Sequence, residues 1–196
     1  MKRTCLFLFL FMQTTSFWFC SHTVNAPVNP FVPSKIVINE VFYDPIGSNA
    51  GNQLVELKNI GSAPFDLDGW WLCARQDYAQ IPKVTIQGGE FLVIHIGATG
   101  SNTTTDVYLP FMLPLQSITD LNLYRNSNFS DPASMIHFVQ WGGVPPTSRQ
   151  SEALAKGLWT AGDFVPGVAE GHSIEYDGEG NTSNDWTDQA TPTIGF

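Results

Sequence analysis

Basic residues are scarce in this sequence, with nine Lys and Arg against eighteen Asp and Glu, and the formal net charge is −9 at pH 7. A surface with this balance repels the phosphate backbone of nucleic acids and the headgroups of anionic lipids. The composition therefore argues against nucleic acid as a partner. It leaves a protein or a glycan as the expected partner.

The sequence also lacks an uninterrupted apolar run of the length that spans a bilayer, which is about 20 residues. Its N-terminal apolar run follows Lys2 and Arg3 and is broken by the polar stretch 13–16. A basic start, an apolar centre and a polar end that closes with small residues before a cut after Ala26 are typical of a secretory signal. We therefore expect residues 1–26 to be a signal peptide. The protein would be secreted or located in the cell envelope, with no membrane contact after cleavage.

Cysteine is rare as well, with three in the chain. Cleavage after Ala26 would remove Cys5 and Cys20 and leave Cys73, which has no partner for an internal disulfide. The exported domain would then depend on its hydrophobic core, which a chain of this size can build. It would carry seven basic and eighteen acidic residues, a net charge of −11. An alternative interpretation makes Cys20 a lipid-modified N-terminus, although the bulky Phe19 before it disfavours that processing.

Short apolar or alternating runs, separated by turn residues, make up most of the remaining sequence. We expect the proline-rich stretch 27–34 to be an extended tether and residues 35–196 to form one domain. The segment 53–60 alternates, with Val55 and Leu57 on one face. Further strands are predicted at 78–86, 90–96, 106–109, 121–124, 135–141 and 172–176.

A helix is predicted only at 151–159, with Ser151 as its N-cap and Gly157 as its end. Many short strands and almost no helix predict an all-β sandwich or barrel. Trp70 and Trp71 point to opposite faces if they lie in a strand. One of them is then expected in the core and the other nearer the surface, where exposed rings can bind carbohydrate.

Four stretches of the sequence, in order, resemble motifs of the lamin tail domain family, in the form found in exported bacterial proteins. They are VINEVFYDP, then QLVELKNIGSAPFDLDGWWL, then LNLYRNSN leading to IHFVQWGG, and finally NDWTDQATPTIG. The resemblance spans residues 35–195 and implies an immunoglobulin-like β-sandwich. It implies no catalytic residues, because the family is one of binding and interaction modules. The filament and chromatin roles of nuclear lamins are not carried over, since DNA contacts need a basic surface.

Glu40 and Glu56 lie in the middle of neighbouring predicted strands. Alternation puts Glu40 on the same face as Ile36 and Ile38, among apolar neighbours. A glycosidase needs two carboxyl groups about 5 to 9.5 Å apart, and strand pairing can bring Glu40 and Glu56 within that range. A cross-strand hydrogen-bonding partner would satisfy Glu40 without any chemistry. We therefore expect Glu40 to order the sheet and expect no catalytic residue.

The acidic stretch EYDGEGNTSNDWTD is a candidate calcium site. Its oxygen-bearing side chains partly mimic the spacing of an EF-hand loop, and they are Asp177, Glu179, Asn181, Asp185 and Asp188. That loop needs glycine at its sixth position, where Thr182 stands, and its last ligand is the shorter Asp188. The alternative is a solvated turn in which Asp, Asn and Gly cap their own backbone.

No other residue pattern indicates a metal or catalytic site. His95, His137 and His172 are far apart, and none has a second His or Cys at metal-ligand spacing. The sequence contains no G-x-S-x-G nucleophile motif. We expect no cofactor other than calcium.

Together these patterns predict an exported, non-catalytic binding or structural module. One alternative is a small secreted hydrolase that acts on glycans or phosphoesters. Another is a calcium-stabilised adhesion domain. A concave site with converging polar groups would favour the hydrolase, whereas a filled core with shallow grooves would favour the binding module. No feature of the sequence predicts an oligomeric state.

Overall fold

A computed structural model of the protein describes residues 35–196, which form two β-sheets, a two-stranded ribbon and one short helix. The strands are β1 (Ile36–Phe42), β2 (Gln53–Asn59), β3 (Phe65–Asp66), β4 (Trp71–Ala74), β5 (Asp77–Gln80), β6 (Thr85–Ile86), β7 (Phe91–Ile96), β8 (Asp106–Leu109), β9 (Thr119–Tyr124), β10 (Met135–Trp141), β11 (Ser173–Tyr176) and β12 (Trp186–Gln189). Helix α1 is Gln150–Lys156, and 3-10 turns lie at Pro132–Ser134 and Ser183–Asp185. The signal peptide expected at 1–26 and the tether expected at 27–34 lie outside the described residues. No helix in the described part is long and apolar enough to cross a membrane.

The two sheets pack face to face. The larger sheet has the strand order β12-β11-β1-β2-β7-β8 and the smaller sheet has the order β10-β9-β4-β5. Neighbouring strands are antiparallel except β7 and β8, which are parallel, and β3 pairs with β6 in a separate ribbon. Leu57 and Ile94 from one sheet and Leu72 and Leu123 from the other are fully buried in the core. The fold is therefore an all-β, immunoglobulin-like β-sandwich, as predicted.

Aromatic residues of β10 connect the two sheets. Trp141 stacks on Tyr43 with ring centroids 5.0 Å apart. His137 Nδ1 accepts a hydrogen bond from the backbone N–H of Ile38 at 3.4 Å. Burial removes the imidazole from water and lowers the pKa of His137 to about 3. The interior between the sheets therefore holds this histidine in its neutral form.

Strand β1 contains a β-bulge that changes which way its residues face. Ile38 pairs with Leu57 and Glu40 pairs with Glu56, so that Asn39 is an extra residue in the register. Leu57 and Glu56 point to opposite faces of β2, and so do their partners on β1. The prediction that Glu40 shares a face with Ile38 is therefore wrong, because one inserted residue reverses the alternation. Glu40 points to the outer face of the larger sheet.

The stretch 78–86, predicted as one strand, is divided between two sheets. Its first residues belong to β5 in the smaller sheet, and its last two form β6, which pairs with β3. Pro82 lies between the two strands and has no backbone N–H to offer a neighbouring strand. The proline therefore ends the first strand and allows the chain to leave the smaller sheet.

Helix α1 ends as predicted but begins earlier. Gly157 adopts a φ of 72° and ends the helix in the left-handed conformation. The N-cap is Arg149 instead of Ser151, and its backbone N–H donates to the carboxylate of Asp120 at 2.7 Å. The group that holds the helix start thus comes from β9, distant in sequence.

Helix α1 and the segment after it cover the outer face of the smaller sheet. Asp120 and Asn122 alternate along β9 with the core residue Leu121, so that they point outward. Phe138 of β10 packs against Trp159 with ring centroids 5.5 Å apart. This face is therefore covered through aromatic packing together with hydrogen bonds to Asp120.

Candidate functional site

The buried carboxylate of Glu40 binds the C-terminal tail, residues 190–196. It accepts hydrogen bonds from the backbone N–H of Thr193 at 2.9 Å and from the Thr193 hydroxyl at 2.8 Å. The hydroxyl of Ser173 on the adjacent strand β11 donates to the same carboxylate. These contacts agree with the expectation that Glu40 orders the sheet, and they add the tail as a second structure that it holds.

Glu56 binds the tail beside Glu40. It accepts hydrogen bonds from the backbone N–H of Gly195 and from the side-chain amide of Asn39, both at 2.7 Å. Burial raises the pKa of Glu56 and the neighbouring Glu40 charge adds to the increase, while these two hydrogen bonds lower it. The bulge residue Asn39 thus supports the second tail anchor.

The two anchors are not arranged as a glycosidase pair. Glu40 and Glu56 are 0% and 1% exposed, and the tail lies over them. A glycosidase needs its two carboxyl groups on either side of a space that holds a sugar ring. The tail occupies that space, so the geometry supports a structural role for both side chains.

Three of the candidate calcium ligands occupy the turn after β11, and two of these have partners of their own. Asp177 accepts a hydrogen bond from the backbone N–H of Glu179 at 2.9 Å. The side-chain amide of Asn181 donates to the carbonyl of Gly157 at 2.8 Å. The side chain of Glu179 is exposed. The Asp177 contact is of the kind expected for a self-capped turn, whereas Asn181 binds the end of α1.

The other two candidate ligands lie further along the chain. Asp185 accepts hydrogen bonds from the backbone N–H and the hydroxyl of Thr182 at 2.6 and 2.9 Å. Asp188 lies in β12, with its Oδ1 2.8 Å from His172 Nδ1. Within residues 35–196, no group of three or more His, Cys, Asp and Glu side chains is placed to hold a metal ion. A calcium site at these residues stays a prediction.

Sequence reasoning did not single out Asp120, which is a buried carboxylate on the outer face of the smaller sheet. It accepts hydrogen bonds from the backbone N–H groups of Arg75 and Arg149, each at 2.7 Å, and from the Ser148 hydroxyl at 3.0 Å. Burial raises the pKa of Asp120, and these hydrogen bonds lower it. The alternation in TDLNLY is the signal that could have identified it, since it places an acid on the face opposite the leucines.

His95 and Asp106 form a pair on the outer face of the larger sheet. His95 Nε2 lies 3.0 Å from Asp106 Oδ1, and the imidazole stacks on Tyr108 with centroids 4.2 Å apart. The Thr105 hydroxyl donates to Asp106 Oδ2 at 2.8 Å. The hydrogen bonds from His95 and then Thr105 lower the pKa of Asp106. The Asp106 carboxylate is therefore ionised at neutral pH.

An open pocket of about 400 Å³ lies beside this pair, and we call it the outer-face pocket. Leu54, Phe91 and Val93 form its apolar floor, and Ile194 of the tail forms a wall. The wall is positioned by the two buried carboxylates that hold the tail. The pocket therefore has a fixed shape in which an apolar floor meets a polar rim.

One of the two adjacent tryptophans is buried and the other is nearer the surface, as predicted, although Trp70 lies just before β4 and not in a strand. Trp70 is buried and packs edge-on against Phe65 with ring centroids 5.2 Å apart. Trp71 is half-buried and lies edge-on to Phe129 at 5.4 Å. Cys73 on the same strand is buried, and burial raises the pKa of its thiol. Cys73 is thus a core residue, and Trp71 is the tryptophan that reaches the surface.

A groove of about 300 Å³ runs along the outer edge of β5, and we call it the β5 groove. Its aromatic lining comes from Trp71, Tyr78, Tyr108 and Phe111, and Phe111 is 94% exposed. Strand β5 is the last strand of the smaller sheet in the described part of the chain, so its outer edge is unpaired there. The groove combines an aromatic surface with an open strand edge.

The sequence model of the family described as Lamin Tail Domain matches residues 29–131, just over half of the chain. The match contains β1 to β9 with both tail anchors, Glu40 and Glu56. Strands β10 to β12 and the tail residue Thr193 follow it along the chain. The hydrogen bonds between Glu40 and Thr193 therefore join the matched part to the part beyond it. None of the curated proteins compared with the chain matches it.

Proposed function

The chain belongs to the Lamin Tail Domain family, and from this premise we propose that it is an exported binding or structural module that acts at the cell envelope or outside the cell. The family is one of non-catalytic immunoglobulin-like domains. The signal-like pattern of residues 1–26 supports export. The net charge of −9 disfavours nucleic acid as the partner.

The state of the two mid-sheet glutamates carries this proposal. Glu40 and Glu56 are the pair that a hydrolase reading would use, and both are buried with their oxygens bonded to the tail. A catalytic carboxyl group needs access to substrate and to water. Because Glu40 and Glu56 bind a segment of their own chain, they support a structural role for the outer face of the larger sheet.

The β5 groove is the recognition surface in this proposal. The exposed Phe111 ring and the half-buried Trp71 ring offer apolar surface, and Gln80 at its rim offers an amide donor and acceptor. Sugar rings present an apolar face that stacks on aromatic rings and hydroxyl groups that bind amides. The lining therefore favours a glycan, and a protein partner is the other outcome of the test.

A binding screen against glycan and protein arrays with residues 27–196 tests the proposal. Glycan binding that Phe111→Ala weakens would support the groove, because a 94% exposed ring contributes little to folding. Phe196→Ala is the matched control, since this ring is 93% exposed and lies outside the groove. Equal losses of glycan binding in the two variants, or no binding of the protein to either array, would count against the β5 groove.

Two further measurements separate this module from the other function classes. Turnover of a glycan or phosphoester that Glu56→Gln abolishes without unfolding the protein would establish a hydrolase instead. A rise in melting temperature with calcium that a chelator reverses, and that Asp177→Asn removes, would establish a calcium-stabilised adhesion domain.

A further inference from the structure

The outer-face pocket presents hydrogen-bond acceptors and negative charge. Glu90 and Asp106 are among its lining residues, and neither Lys nor Arg lines it. His95 and Thr105 hold the Asp106 carboxylate in place. An anion that enters the pocket meets two like charges, whereas a cation is attracted by both. The charge of the rim therefore selects a positively charged group.

The floor of the pocket already interacts with an ammonium group of the same chain. Lys58 Nζ lies 4.7 Å from the centroid of the Phe91 ring, within the range of a cation–π interaction. Lys58 itself lies outside the pocket lining. Leu54 and Val93 extend the apolar surface beside Phe91. The aliphatic part of the floor therefore suits a methylene stem, and the acidic rim suits a positive end.

A bare metal ion does not match these features. Calcium takes six to eight oxygen ligands, and no metal-holding group of three or more His, Cys, Asp and Glu side chains occurs in residues 35–196. An apolar floor adds nothing to the binding of a hydrated ion. Lysine and arginine side chains, in contrast, lay their methylene stems on apolar surface and keep a charged end near acceptors.

We propose that the outer-face pocket binds a lysine or arginine side chain of a partner polypeptide, with its stem on Leu54 and Val93 and its charge between Glu90 and Asp106. The tail wall at Ile194 is held in place by the two buried glutamates, so the site is formed before the ligand arrives. A preformed site loses little conformational freedom on binding. This site is separate from the β5 groove, and the two functions can be tested separately.

Titration of the isotope-labelled protein with acetyl-Gly-Lys-Gly-amide, followed by amide chemical shifts, tests this site. We expect saturable shifts at Val93, His95 and Gly195, and similar shifts with the arginine peptide. The norleucine peptide keeps the stem but lacks the charge, and it should shift these residues weakly. Raising the salt concentration should weaken binding of the lysine peptide, because the rim is open to solvent.

Glu90→Gln removes one charge from the exposed rim and should weaken binding on the order of five-fold, the effect of one unit charge at a few ångströms in a partly screened site. Glu179→Gln removes the same charge from an exposed turn outside the pocket and should leave binding unchanged. Equal shifts with norleucine, an equal loss in Glu179→Gln, or no saturable shift would each overturn the proposal. Phe111→Ala should not affect this titration, so that loss of glycan binding and loss of cation binding are distinguishable.

Discussion

The two sheets have outer faces that are covered by different kinds of contact. On the larger sheet, Glu40 and Glu56 hold the tail through hydrogen bonds from Thr193 and Gly195. On the smaller sheet, aromatic packing such as that of Trp159 on Phe138 adds to the hydrogen bonds that Asp120 accepts. Hydrogen bonds to buried carboxylates fix the position of a segment, but desolvation offsets much of their strength. Apolar packing contributes more to stability than these hydrogen bonds do, but it fixes the position of a segment less tightly.

This difference predicts that the packed face contributes more stability than the anchored face. Trp159→Ala should lower the free energy of unfolding by about 3–5 kcal/mol, the usual cost of removing a large buried ring. Chemical denaturation measures this loss. A loss under about 1 kcal/mol, typical of a surface substitution, would show that α1 and its following segment cover the face without stabilising it.

Removal of one anchor should cost less than removal of this ring. Glu40→Ala leaves the Thr193 and Ser173 donors without an acceptor and should lower stability by about 2–3 kcal/mol. Glu179→Ala, at an exposed acid, should stay within about 0.5 kcal/mol of the parent. Deletion of residues 192–196 should cost less than Glu40→Ala, because it exposes both carboxylates to water. A larger loss on deletion would mean that apolar contacts of Ile194 hold the tail.

Lowering the pH should destabilise the protein through His137 in the interior between the sheets. It should not do so through Glu40 and Glu56, which hold the tail on the anchored face. The folded-state pKa of His137 is lowered to about 3, so the unfolded chain takes up a proton below pH of about 6.5 and the folded protein does not. Stability should fall by about 2.5 kcal/mol between pH 7 and pH 4.5 from this group. The raised pKa of Glu56 acts in the opposite direction, because it favours folding as the carboxyl is protonated.

His137→Gln tests the origin of the acid effect. Its amide keeps an acceptor for the Ile38 N–H but does not titrate, so stability should become nearly flat over this pH range. Urea midpoints measured at several pH values would show this change. An unchanged acid slope in the variant would assign the loss to carboxylates whose folded-state pKa is lowered, such as that of Asp106.

The smallest effect is expected at Gly157, where α1 ends just before the segment whose Trp159 packs on β10. Gly157→Ala should lower the melting temperature slightly and cost about 1 kcal/mol, since alanine is strained at a φ of 72°. A Cβ at this position meets no atom within 4 Å, so the effect would be purely conformational. Gly167→Ala, where no positive φ is required, is the control and should be nearly neutral. Equal effects in both variants would show that the left-handed end of α1 is unimportant.

Much of the sandwich follows from patterns within short stretches. The alternation at Val55 and Leu57 predicted the core face of β2. One ring of the pair Trp70 and Trp71 lies in the core and the other nearer the surface, as expected, although only Trp71 is in a strand. Strands β8 and β10 have the predicted bounds. These features depend on neighbours within a few residues, where period-two alternation gives a clear signal.

The contacts that position the sites depend on residues far apart in the chain. A single extra residue, Asn39, reverses the direction of Glu40, and alternation alone cannot reveal such an insertion. The acceptor for the start of α1 is Asp120, 29 positions before Arg149. Sequence reasoning therefore chose the local candidate Ser151 for the cap. The outer-face pocket combines β2, β7, β8 and the tail, and no motif unites them.

The bond between Glu40 and Thr193 spans 153 positions of the chain. The ribosome therefore completes β1 long before it synthesises Thr193, which donates hydrogen bonds to the buried Glu40 carboxylate. Contacts of such separation close late, because the entropy of a long loop opposes them. Until then the Glu40 carboxylate is more stable in water than buried. The outer face of β1 can therefore be completed only after residue 193 has been synthesised.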